Sequence, residues 1–153
     1  MGFRTVAIAR GAGKADMAYQ LGAHHYIDST AADVAAELRK LGGARVVAAT
    51  ATNRTAISVA GDGLAPHGEV LTLAVLAEPL DITPLQLINA SGTIHGHPAG
   101  TAADTEDTLE FAALHGIRPW VEPMPLRDAA AGYDRMMRNE ARFRVVLTMT
   151  DAG

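Results

Sequence analysis

No cysteine occurs in the 153 residues of this sequence. That absence excludes a disulfide framework and any thiolate-held metal, and it is compatible with a reducing compartment. A basic surplus is also missing: charged residues make up 20% of the chain and the formal net charge is −4. Phosphates along a nucleic acid would therefore find no complementary field, and no nucleic acid is expected as partner. Long apolar runs are absent as well. Met1 to Arg10 alternates polar and apolar residues and breaks at Gly11, unlike a signal peptide or a membrane span, so a soluble, cytoplasmic protein with no membrane partner is expected. There is no GxSxG, and Ser29, Ser58 and Ser91 lie at a cap, in a helix and before a glycine, which sets serine hydrolase chemistry aside. No internal repeat, low-complexity tract or interdomain linker divides the chain.

What remains is rich in apolar residues, 48% in all, enough for one substantial core and hence one domain over residues 2–149, with 150–153 as a loose tail. Arg4 to Ala9 is a short β-branched run closed by the glycine-bearing turn Arg10 to Gly13. Lys14 to Leu21 has helical spacing and Gly22 to stop it. His25 to Ile27 reads as a strand, and Asp28-Ser29-Thr30 offers a cap for a second helix through Val34, Leu38 and Leu41. Arg45 to Thr50 is apolar without alternation, as expected of a strand covered on both faces. A helix over Ala56 to Leu64, a turn at Ala65 to Gly68 and a strong strand over Glu69 to Leu76 follow. A short helix over Leu85 to Asn89 leads to a strand over Gly92 to His97. Beyond it come an amphipathic helix over Asp104 to His115 through Leu109, Ala112 and Ala113, and a prolyl-edged strand over Pro119 to Met124. A helix over Leu126 to Met137, striped by Ala130, Tyr133 and Met137, and a last strand over Phe143 to Met149 complete the series. Strands alternating with helices at this spacing imply βαβ crossovers and a largely parallel α/β sheet.

The histidines are weighed on geometry. His24 and His25 are adjacent and point to opposite faces of a strand, so they do not readily share a metal. His95 and His97 share a face, a two-ligand start for which the sequence identifies no third ligand; structural or pocket roles are the expectation for both.

The ordered motifs QLGAHHYID, LAPHGE and FAALHGIRP, with ARVVAAT and ARFRVVLTM between and after them, resemble the zinc-type medium-chain alcohol dehydrogenases. The resemblance extends from about Gly2 to Met149. It implies a Rossmann-like, doubly wound sheet whose first strand and GxGxxG loop are not in this chain, nor is the domain that holds the catalytic zinc. Gly11-Ala12-Gly13 follows the family's second strand and lacks the third glycine, so it reads as an ordinary turn. With a central strand missing, the sheet should split, leaving Arg4 to Ala9 and Arg45 to Thr50 with unpaired edges that favour a homo-oligomer or a changed strand order. The parent reaction implied is NAD(P)-dependent interconversion of alcohol and aldehyde. A chain without the metal and the phosphate loop is expected to be inactive alone, with NADP or NAD held weakly or not at all and zinc not expected. The other reading is a non-catalytic dimerising or nucleotide-binding module.

By resemblance, the acidic residue that reads the NAD ribose falls at Ala9, followed by Arg10. A small residue before an arginine favours a 2′-phosphate and so leans toward NADP; equally, Arg10 reads as a solvated strand-end charge. Lys14 matches a lysine near the adenine ribose, or is an exposed helix-start residue. Thr50, Leu73, Ala74, Val75 and His97 match the strand ends that line the nicotinamide pocket. At Ala74 the family usually carries glycine, so an added methyl narrows the backbone approach. Arg144 matches an arginine that contacts the pyrophosphate, a structural ion pair being the alternative. No catalytic residue and no metal ligand is assigned.

Overall fold

The computed structural model of the chain describes residues 2–138 and 140–149; the tail expected over 150–153 lies outside the described residues. Residues 1–99 and 100–153 form two compact units. The first contains β1 (Val6–Ala9), α1 (Ala15–Gln20), β2 (His25–Asp28), α2 (Val34–Lys40), β3 (Ala44–Ala49), α3 (Arg54–Gly61), β4 (Leu64–Thr72), α4 (Pro84–Ala90) and β5 (Thr93–Gly96). The second contains α5 (Ala102–Leu114), β6 (Glu122–Pro125), α6 (Ala129–Met137) and β7 (Val145–Thr148).

Every strand pair is parallel, as the alternation of elements requires. β1 pairs with β2; β3, β4 and β5 form a second sheet in that order; β6 pairs with β7. No ladder joins β1 to β3, so the sheet is split where the resemblance places a missing strand. One apolar cluster spans the two sheets of the first unit from below: Ile27, Val34, Leu38 and Ala60 are buried, with Val6, Ala44 and Val47 packed against them. A second cluster of Ala49, Ile57 and Val70 fills the space between α3 and the β3–β4 ladder. Each buried valine, leucine or isoleucine among them contributes roughly 1.5–3 kcal/mol.

Several local expectations are corrected. β3 is covered on one face only: Val47 and Ala49 face the helices, while Val46, 47% exposed, and Ala48 face outward. Apolar composition on both faces of a strand does not by itself supply a second covering layer. α2 is capped by Asp33, whose carboxylate accepts the Ala36 N–H at 3.0 Å, and not by the Asp28-Ser29-Thr30 group. α3 starts earlier than expected because Asn53 caps it through the Ala56 N–H. Residues 65–68 are no free turn but an irregularity inside β4. The ladder jumps from Ala44 opposite Leu64 to Val46 opposite Glu69, with His67 in the left-handed region at φ 60°.

In the second unit the apolar stripe of α6 is also displaced. Tyr133 and Met137 are exposed, and the contact face centres on Gly132. A β-carbon there would stand 3.0 Å from the Met124 sulfur and 3.1 Å from Val145 Cγ1. A missing side chain brings the helix close to β6 and β7, and hydrophobic periodicity cannot register it. α5 forms with a Thr101–Asp104 capping box, but Leu109 and Leu114 on it are exposed and only Ala112 is partly covered.

Candidate functional site

Parallel strands deliver their carboxyl ends, and the loops that follow, to one side of a sheet. Thr50 follows β3, Leu73, Ala74 and Val75 follow β4, and His97 follows β5, so these five residues come together at one end of the three-stranded sheet. The Leu73 and Ala74 N–H groups both donate to the Ala49 carbonyl, at 3.1 and 3.0 Å, which ends the β3–β4 ladder and splays the chain outward. The His97 N–H donates to the Thr72 carbonyl at 3.1 Å, and the Thr72 hydroxyl to the His95 carbonyl at 3.0 Å. Val75 is 92% exposed, and Thr50, Leu73 and His97 are exposed too, so the sheet end is open. Ala74, partly buried, keeps a negative φ that alanine adopts without strain.

Arg10 and Lys14 flank the turn at the end of β1. Both are exposed, and among the described residues no hydrogen bond or ion pair engages either side chain. The turn between them is held from β2. Gly11 N–H donates to Asp28 Oδ1 at 2.8 Å, and the Tyr26 hydroxyl donates to the Gly11 carbonyl at 2.5 Å. Asp28 Oδ1 also accepts the Thr30 N–H at 2.9 Å and the Thr30 hydroxyl at 2.7 Å. Those bonds to Thr30, and then the Gly11 N–H, hold the Asp28 carboxyl below the usual carboxylate range. Burial, with the Asp28 charge beside it, pushes the Tyr26 phenol up, so the hydroxyl stays protonated and donating.

Tyr26 and Asp28 were not singled out from sequence as site residues. Their spacing of two, which puts both on one face of β2, was the available signal; the expected cap for α2 concealed it. Arg144 lies in the second unit, its carbonyl accepting the Glu122 N–H at 2.8 Å. It borders an apolar cavity of about 610 Å³ lined by Tyr133, Met136, Phe143, Val145 and Leu147.

The histidines do not assemble. The His24 Nδ1 accepts the Thr5 N–H at 3.1 Å, a structural contact, and among the described residues no three His, Asp or Glu side chains are grouped to hold a metal ion. With no cysteine in the sequence either, the residues present do not fit a catalytic zinc. Among the described residues no helix is long and apolar enough to cross a membrane.

A split parallel sheet with an open carboxyl end and a pinned turn after β1 defines an α/β domain of the Rossmann type. The chain belongs to the zinc-binding dehydrogenase family, whose sequence model matches residues 1–114, and so to a family of oxidoreductases. It is 37% identical to the alcohol dehydrogenase patD of Penicillium expansum over 97% of its own length and 43% of that protein's. It is 38% identical to the alcohol dehydrogenase notN of an Aspergillus species, over 97% and 44%. Among solved structures, AibC superposes with a TM-score of 0.80 at 27% identity, covering 95% of this chain and 45% of that one. A putative alcohol dehydrogenase from Sinorhizobium meliloti 1021 shares the fold at a TM-score of 0.85 and 19% identity, over 94% and 43%. The chain thus spans under half the length of these two curated relatives.

Proposed function

We propose that this chain is the dinucleotide-binding part of an alcohol dehydrogenase-like oxidoreductase whose reaction interconverts alcohol and aldehyde, and that by itself it binds NADP weakly, NAD more weakly, and turns over neither. The carrying observation is the gathering of Thr50, Leu73, Ala74, Val75 and His97 at the open carboxyl end of β3, β4 and β5. When bound, the nicotinamide supplies the hydride acceptor or donor of such a reaction. The residues that follow β3, β4 and β5 would border the nicotinamide, and Arg10 and Lys14 would face the adenosine, their charges complementary to a 2′-phosphate. Arg144 enters on sequence resemblance alone. Turnover would require polarising the alcohol oxygen, and the donor set for a zinc ion that does so is missing from these residues.

A second reading, a non-catalytic dimerising module of the cytoplasm, is favoured by the unpaired edges of β1 and β3 and the outward-facing Val46. Two measurements on the purified chain separate the readings. Equilibrium titration should give saturable NADP binding, and absorbance at the reduced-nicotinamide band should stay flat with primary alcohols. Steady cofactor reduction would overturn the claim of inactivity; the absence of any binding would leave the dimerising module.

A further inference from the structure

The turn from Arg10 to Lys14 is held in an unusual way. Gly11 sits at φ 79°, ψ 151°, a conformation open essentially to glycine alone. A β-carbon on Gly11 would meet nothing within 4 Å, so the restriction is conformational and not steric. Glycine reaches this state without strain but reaches many others as easily, so its neighbours' hydrogen bonds are what single it out. Here both backbone polar groups of Gly11 are engaged by side chains of the neighbouring strand: its N–H by Asp28 and its carbonyl by Tyr26. The register that sets Ala9 opposite Asp28 brings those side chains to the end of β1. Ser29 adds a third tie, its N–H donating to the Ala9 carbonyl at 3.0 Å. Thr30 in turn fixes Asp28 through two hydrogen bonds.

None of these bonds serves α2, which has its own cap at Asp33. The Asp28 and Tyr26 bonds converge on the one residue that directly follows Arg10. An exposed cation next to a glycine would ordinarily sample many directions, at a cost in ordering when it meets a ligand. Fixing the glycine on both its donor and its acceptor removes most of that backbone freedom before binding.

We propose that Tyr26 and Asp28 are positioning residues that lock the Arg10–Lys14 turn into a shape selective for a 2′-phosphorylated adenosine, an inference that rests on the dinucleotide-binding reading above. Neither residue touches the ligand in this account. They act through the backbone of Gly11, and selectivity is expressed by Arg10 and Lys14.

The test uses the full chain, isotopically labelled, with Tyr26→Phe, which keeps the ring and removes only the donor, and Asp28→Asn. Amide exchange at Gly11 should quicken about fivefold in the first and about tenfold in the second, the range for losing a neutral and a charge-assisted hydrogen bond. Amides of the β1–β2 ladder should be unchanged. Affinity for adenosine 2′,5′-bisphosphate should fall by similar factors, while affinity for adenosine 5′-monophosphate, which has no 2′-phosphate, should move less than twofold. Exchange at Gly11 as in the unsubstituted chain, or equal losses for both nucleotides, would overturn the proposal. Should the unsubstituted chain bind neither nucleotide, the dinucleotide reading and the selectivity both fail, and the exchange data still decide whether the turn is locked.

Discussion

Gly63 has no room for a methyl group: its β-carbon would stand 2.6 Å from Leu38 Cδ1 and 2.8 Å from Leu38 Cβ. Leu38 is buried in the cluster that joins the two sheets of the first unit, so it cannot swing into solvent. Gly63→Ala is expected to destabilise the chain by about 1–3 kcal/mol, read as a lower urea midpoint at unchanged slope. Glu122 governs the second unit at the same scale. The Arg135 guanidinium bonds its carboxylate twice, Nε to Oε2 at 2.6 Å and Nη2 to Oε1 at 3.3 Å, and the Arg142 N–H adds a third contact at 2.7 Å; together they hold the Glu122 carboxyl below its ordinary 4.5. Glu140, 3.9 Å from Arg135, is the other charge facing that guanidinium. A depressed carboxyl stabilises the fold above its ordinary pKa and ceases to do so as pH falls through the depressed value. Acid titration of the second unit's amide signals should show that midpoint below 4.5, and Glu122→Gln should abolish it.

At the scale of elements, hydrogen-bonded caps decide where helices begin. Thr83 and Gln86 form a capping box at α4, Thr101 and Asp104 one at α5. Thr83→Ala should cost about 1 kcal/mol in thermal or chemical unfolding. The strand–helix order was legible because periodicity and glycine stops are local properties of the chain, as at α1 before Gly22 and at β5. What local pattern could not register was which faces find a covering layer. β3 reads as doubly buried although one face lies open, and α6 packs through Gly132 rather than through Tyr133. Motif order assigns Arg10, Lys14 and the residues after β3, β4 and β5 to the proposed site through the family resemblance. The Tyr26–Asp28 lock was not legible, since it depends on the register of β2 against β1.

For the whole molecule, the split between β1 and β3 is the dominant feature. Among the described residues the facing edges of β1 and β3 have no ladder partner, which invites pairing with a second copy, and light scattering at micromolar concentration should give an oligomeric mass. Val46→Lys puts a charge on the exposed side of the β3 edge and should shift that mass toward the monomer with the circular dichroism spectrum retained. A monomeric parent chain would contradict the strand-edge account of assembly.

The central claim, that the chain is a dinucleotide-binding domain, is tested most directly by its thermal unfolding midpoint across an NADP titration, with NAD alongside. A ligand that binds only the folded state raises stability as its concentration passes the dissociation constant, by about 2.7 kcal/mol at one hundred times that value. A midpoint that climbs with NADP, and less with NAD, is the result predicted. A midpoint indifferent to both at millimolar concentration would contradict the account.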